Sequence, residues 1–189
     1  LRLDLALDIR RHLVAQVGQR PLELGRQAIG VVAGLGQLAE PLIFRTVRLG
    51  LGHHPLDVVV TELPIGFAQA TVENRSGRTA TGWGAMFLMH LWSWPVAQAS
   101  AEARSKVICE LFEAYARIVS QYGEFAHPIE LFAQNEEALR AANRAVSAKH
   151  APGEEMPFLG ALVAASPIDH AIHDAFGNAN AVDLYCACG

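Results

Sequence analysis

Phe67-Ala68-Gln69-Ala70-Thr71-Val72-Glu73, then Asn74-Arg75-Ser76-Gly77, then Arg78-Thr79-Ala80-Thr81-Gly82-Trp83-Gly84 decides the fold. The first run alternates with period two, the four residues that follow are turn formers, and the third run returns as an antiparallel partner. A hairpin of this kind has one face to bury, so the rest of the chain must supply the cover. Upstream, Leu42-Ile43-Phe44-Arg45-Thr46-Val47-Arg48-Leu49 reads as a strand and Gly50-Leu51-Gly52-His53-His54-Pro55 as a loop. Val58-Val59-Val60-Thr61 reads as a second short strand closed by Pro64. Together these segments predict a β-meander.

Downstream, helices supply the cover. Met86-Phe87-Leu88-Met89-His90-Leu91-Trp92-Ser93-Trp94-Pro95 is rich in large apolar side chains. Ser100 is a candidate N-cap and Gly123 a candidate stop for a helix whose apolar face holds Val107, Ile108, Leu111, Phe112, Tyr115, Ile118, Val119 and Tyr122. A further helix is expected from Pro128 to about Lys149, and residues 151 to 157 read as a connector. The last helix is expected over Ser166 to Gly177, with Ser166 as N-cap, Pro167 at the first helical position, and Ile168, Ile172, Ala175 and Phe176 on one stripe. On the N-terminal side, residues 3 to 17 read as an amphipathic helix, and a weaker helix is expected from Leu22 to about Val32. The sequence-level fold is therefore α+β, an antiparallel β-meander followed by a helical bundle. Residues 1–40 form a helical extension, 41–185 the domain and 186–189 a tail.

Composition narrows the function classes. A chain of 189 residues with 51% hydrophobic and 18% charged residues has enough apolar material for a real core. A net charge of −4 without a basic run argues against a nucleic-acid partner. The uncharged, Gly-rich run near residues 27 to 40 falls short of a membrane span, so no membrane role is expected. Three cysteines, Cys109, Cys186 and Cys188, make neither a disulfide framework nor a four-ligand zinc site, and a cytoplasmic setting is expected. Cys109 falls on an apolar helix face, where it should be buried and inert. An opening at Leu1 is consistent with a missing natural start. No serine nucleophile elbow, P-loop, dinucleotide fingerprint or HExxH occurs; Gly34-Leu35-Gly36 lacks a third glycine at the right spacing.

His170, His173 and Asp174 form the cluster with most apparent chemistry. Positions 170 and 174 lie one helical turn apart, so a histidine and a carboxylate share a face as metal ligands would. The structural alternative is that they border the packed stripe, with Asp174 bonding a neighbouring side chain or backbone group. That alternative outweighs metal ligation.

The pattern Ile168-Asp169-x-Ala171-Ile172-x-Asp174, with Tyr185 a few residues on, resembles the segment before the barrel in the enolase superfamily, of the mandelate racemase and muconate-lactonizing type. The hairpin ending Gly82-Trp83-Gly84-Ala85 is similar to that family's Gly-x-Gly-Glu, with Ala85 in place of the Glu, and Val60-Thr61-Glu62-Leu63-Pro64 resembles one of its branches. The resemblance implies an N-terminal capping domain. His53, His54, Met86, Phe87 and Trp92 would then line a substrate pocket, although core packing explains 86 to 94 equally well. A complete member would bind Mg2+ and abstract a proton alpha to the carboxylate of a small substrate. The (β/α)8 barrel that carries that chemistry needs about 200 residues more. The chain holds two lysines, Lys106 and Lys149, and no Lys-x-Lys motif. No catalytic residue and no cofactor is therefore expected here.

Three readings follow: an inactive capping fragment that pairs with its missing barrel or with itself through exposed apolar surface; a stand-alone binding domain without catalysis; or a small enzyme using His170, His173 and Asp174.

Overall fold

A computed structural model describes residues 29–31, 42–45 and 62–183. Five strands and four helices occur among these: β1 (Ile29–Val31), β2 (Leu42–Arg45), β3 (Glu62–Asn74), β4 (Thr79–Phe87), α1 (His90–Ser93), α2 (Ala101–Ser120), β5 (Phe125–Ala126), α3 (Pro128–His150) and α4 (Phe158–Asn180). The α+β expectation holds. Expectations for residues 3–28, 46–61 and 184–189, including those for His53 and His54, lie outside the described residues.

β3 is the spine of an antiparallel sheet. Along one edge it pairs with β4, from Ile65↔Phe87 to Glu73↔Thr79. Along the other it pairs with β2 near its start, as in Ile43↔Pro64, and with β1 near its end, as in Val31↔Val72. β1 also pairs with β5. Pro64 was expected to close a separate strand, yet it lies inside β3. Ile29–Val31 was expected at the end of a weak helix and is a strand instead. Glycines and β-branched residues gave that helix little intrinsic support, and pairing with β3 and β5 takes the segment.

The turn is held by Asn74, whose Oδ1 accepts from the backbone N–H groups of Ser76 and Arg78, both at 3.0 Å. An Asx side chain thus supplies acceptors where the ladder cannot. α2 starts as expected, with Ser100 Oγ accepting from Ala103 N at 3.1 Å. α3 starts on a capping box in which Glu130 Oε2 accepts from His127 N at 3.0 Å, while His127 Nδ1 accepts from Ile129 N.

α4 is the main correction. It runs 23 residues, from Phe158 to Asn180, with Pro167 inside it. Ser166 is no cap; its Oγ donates to the Leu162 carbonyl at 2.8 Å. Nor does Gly177 end the helix, which stops at Ala181 in the left-handed region (φ 55°). Cap-like residues misplace the start because the stretch from Phe158 to Ala165 is apolar throughout and α4 packs against the sheet, α2 and α3, so tertiary packing outweighs the local stop signals. The fully buried Leu88, Trp94, Ile108, Leu111, Phe112, Tyr115, Met156 and Phe176 fill the space between these elements. The connector is tied down by Glu154, which accepts from Trp94 Nε1 and from the backbone N–H groups of Gln98 and Ala99. Among the described residues no helix is long and apolar enough to cross a membrane.

Candidate functional site

Alternation in the hairpin sorts its side chains into two faces. Gly66, Ala68, Ala70 and Val72 of β3 and Gly82 and Gly84 of β4 are buried under the helices. The opposite face presents Ile65, Phe67, Gln69 and Thr71 beside Phe87, Ala85, Trp83 and Thr81. Trp83 is 50% exposed and Phe87 45%, and the rings of Phe67 and Trp83 lie 5.2 Å apart. Of the candidate pocket residues from the sequence, Phe87 and Trp92 are exposed and Met86 is half-buried on the helix-facing side.

The His170, His173 and Asp174 cluster does not come together. Asp174 Oδ2 accepts from the backbone N–H of Trp83 at 2.9 Å, and its Oδ1 lies 3.4 Å from Asn178 Nδ2. Asn178 Nδ2 also donates to the Thr81 carbonyl at 3.2 Å. Thr81 and Trp83 are two apart, so these backbone groups point the same way, off the β4 edge that β3 leaves open. Asp174 and Asn178, one turn apart on α4, therefore satisfy an edge strand with side chains. Asp174→Ala is expected to cost about 0.5–1.5 kcal/mol, the net worth of a hydrogen bond whose exposed donor, the Trp83 N–H, can turn to water instead. A urea titration of the variant beside the wild type measures it.

His170 is exposed and takes no part in that tether. His173 turns the other way, with Nδ1 2.9 Å from the Asp169 carbonyl and 3.4 Å from Asp169 Oδ1. A carbonyl only accepts, so Nδ1 carries the proton and Nε2 is the acceptor of the neutral ring. Hydrogen bonding to Asp169 raises the His173 pKa against the opposing effect of burial. His127 is lowered by burial and then by the neighbouring charge of His173. Among the described residues, no group of three His, Cys, Asp or Glu side chains is placed to hold a metal ion.

Asp169 and His173 open into a groove of about 330 Å³ between α3 and α4, with Ile129, Phe132, Leu162, Ala165 and Ser166 as its other walls. Ser166, Asp169 and His173 share a helix face, yet they are no nucleophilic triad. The Ser166 hydroxyl points back to Leu162, and seven residues of helix, roughly 10 Å, separate it from His173. This groove escaped sequence reading because it needs the first turn of α3 laid against the middle of α4. The spacing 162, 165, 166, 169, 173 was its available signal. A second, open groove, lined by Lys106, Cys109, Glu110, Glu113, Arg117, Lys149 and His150, has its central carboxylate already paired: Glu110 contacts Lys149 Nζ at 2.7 Å and His150 Nε2 at 2.6 Å. Cys109 is half-buried there, and desolvation pushes its thiol up to about 11, so it is a poor nucleophile at neutral pH.

A family model described as NAD-specific glutamate dehydrogenase matches residues 1–70. No curated protein and no solved structure matches the chain. The family match overturns the enolase-superfamily resemblance, and with it the capping-domain role, the isomerase or lyase chemistry and the implied Mg2+. The residues that carried that resemblance have local explanations. Gly82 and Gly84 admit α4 to the sheet, Ile168, Ile172 and Phe176 are core, and Asp174 is a tether. The barrel partner and the carboxylate substrate lose the resemblance they rested on. The match covers under half of the chain, and it runs through β1 and β2 into β3. Residues 1–70 are thus similar to NAD-specific glutamate dehydrogenase, a family whose name carries NAD.

Proposed function

We propose that residues 62–183 form an interaction module that pairs with a second copy of this chain through the open face of the β3–β4 hairpin. The observation that carries this reading is the half-exposed Trp83, set against Phe67 with Phe87 on the same face. Large exposed aromatic side chains are enriched where proteins meet. Neither residues 65–72 nor residues 80–87 include a charged side chain, so two copies of this face meet without like-charge repulsion. A reduced, cytoplasmic setting, suggested by the sparse cysteines, belongs to this reading.

Sedimentation of the full chain at roughly 100 µM, above the micromolar constants of weak dimers, tests it. The expected mass is twice 20.4 kDa, and Trp83→Lys should return the chain to 20.4 kDa with its fold intact. A wild-type chain that stays at 20.4 kDa, or a Trp83→Lys dimer, overturns the reading.

The family match favours a second reading, in which the chain serves NAD-specific glutamate dehydrogenase chemistry and NAD is its ligand. Titration of NADH fluorescence against the full chain tests it. Saturable enhancement supports this reading, and an unchanged spectrum removes it.

A further inference from the structure

We propose that the groove between α3 and α4 is a binding site for a small ammonium ion with an apolar body, the nitrogen held at Asp169 and the hydrocarbon along Ile129, Phe132, Leu162 and Ala165. Its wall chemistry is asymmetric. Along α4 the lining passes from Leu162 and Ala165 through Ser166 to Asp169 and His173, and α3 adds Ile129 and Phe132. No lysine or arginine belongs to the lining, and Asp169 is its one carboxylate. An anion would meet that negative charge without a cation to offset it.

The carboxylate has capacity to spare. An ionised carboxylate offers about four acceptor positions. Among the described residues, its side-chain partner is the Nδ1–H of His173, at 3.4 Å. That N–H is shared with the shorter bond to the Asp169 backbone carbonyl, at 2.9 Å. Above its raised pKa, His173 is neutral and turns no second positive charge on the site. Its Nε2 is then an acceptor, which suits a ligand with several N–H donors. The charge of Asp169 is felt within the core as well: burial first and then Asp169 push the Tyr115 phenol up. A cavity of about 330 Å³ that is open to solvent, with a polar end and apolar walls, fits a ligand of one ring or a short chain.

The test uses benzylammonium, with benzyl alcohol and benzoate as probes of the same body, titrated into the 15N-labelled full chain at pH 8. Benzylammonium is expected to shift amides at 129–132 and 162–173 with an affinity of about millimolar, as suits a fragment in a half-open groove. Benzyl alcohol and benzoate should leave them in place. Asp169→Asn should weaken benzylammonium about tenfold or more, in line with loss of a charge-assisted hydrogen bond. Ser166→Leu, which fills the groove and leaves Asp169 in position, should abolish the shifts. Should Asp169→Asn fail to fold, Ser166→Leu decides. Equal binding of alcohol or benzoate, undiminished binding by either folded variant, or no shift at all overturns the proposal. Failure here leaves pairing through the opposite side of the hairpin untouched.

Discussion

Replacing Gly84 with alanine is expected to destabilise the domain by more than about 3 kcal/mol, beyond the usual range for overpacking. A Cβ at Gly84 would stand 2.0 Å from the Pro167 carbonyl oxygen and 2.7 Å from Ala171 N. At Gly82 it would stand 2.1 Å from Ala175 N and 2.3 Å from the Ala171 carbonyl oxygen. These are backbone atoms of α4, so no side-chain rotation relieves the overlap. The helix must lift off the strand, and lifting it also stretches the bonds from Asp174 and Asn178 to β4. Gly82→Ala should therefore be as damaging as Gly84→Ala. Ala85→Ser, next to Gly84 on the same strand but on the open face, should be within about 0.5 kcal/mol of wild type. Urea unfolding of the three variants measures the contrast. Equal stability across them would mean that α4 does not press on the hairpin.

That contrast also shows what the sequence could say. Period-two alternation placed the hairpin because Ala68, Ala70 and Val72 must enter the core while Gln69 and Thr71 stay out. Ser100 and Pro128 marked true helix starts because a cap acts through its own side chain or ring. The reading failed where a distant segment decides. Ser166-Pro167 has the form of a helix start, but the apolar residues from Leu159 to Ala165 continue the helix upstream once the sheet gives them a surface to cover. Gly82-Trp83-Gly84 looked like a family signature, although two glycines flanking an exposed tryptophan are what a helix pressed on one face of a strand requires. For Asp174 the spacing allowed half of a metal site, and the preferred reading, a bond to a neighbouring side chain or backbone group, is what the structure shows, although the sequence did not name the partner. Its actual partner is 91 residues away in sequence, and no local pattern announces a bond to the Trp83 backbone. The binding groove was hidden for the same reason, since Ile129 and Phe132 join it from another helix.

Phe176→Ala is expected to cost about 3–5 kcal/mol, the range for deleting a buried aromatic side chain. Phe176 is 1% exposed near the C-terminal end of α4, and its ring meets His127 edge-on with centroids 4.9 Å apart. His127 is also the N-cap of α3, so the two rings couple the end of one helix to the start of another. Removal of the phenyl group leaves a void beside the imidazole and admits water to it. The first cause of the lowered His127 pKa is burial, so that value should rise toward the ordinary histidine range in the variant. His173, whose charge adds to the lowering, stays one turn away on α4 and should preserve part of the shift. The sign for stability follows. A histidine whose pKa is depressed by folding resists protonation in the native state, so His127 takes stability away as pH falls below about 6.5, the unfolded value, while the raised His173 acts in the opposite sense in both proteins. Phe176→Ala should lose less of its stability over that interval, even though it starts several kcal/mol lower. Urea unfolding at pH 8 and pH 5.5, with the His127 ring resonances followed by NMR, reads both effects. A large loss of stability with an unmoved His127 titration would show that Phe176 fills the core without shielding the imidazole.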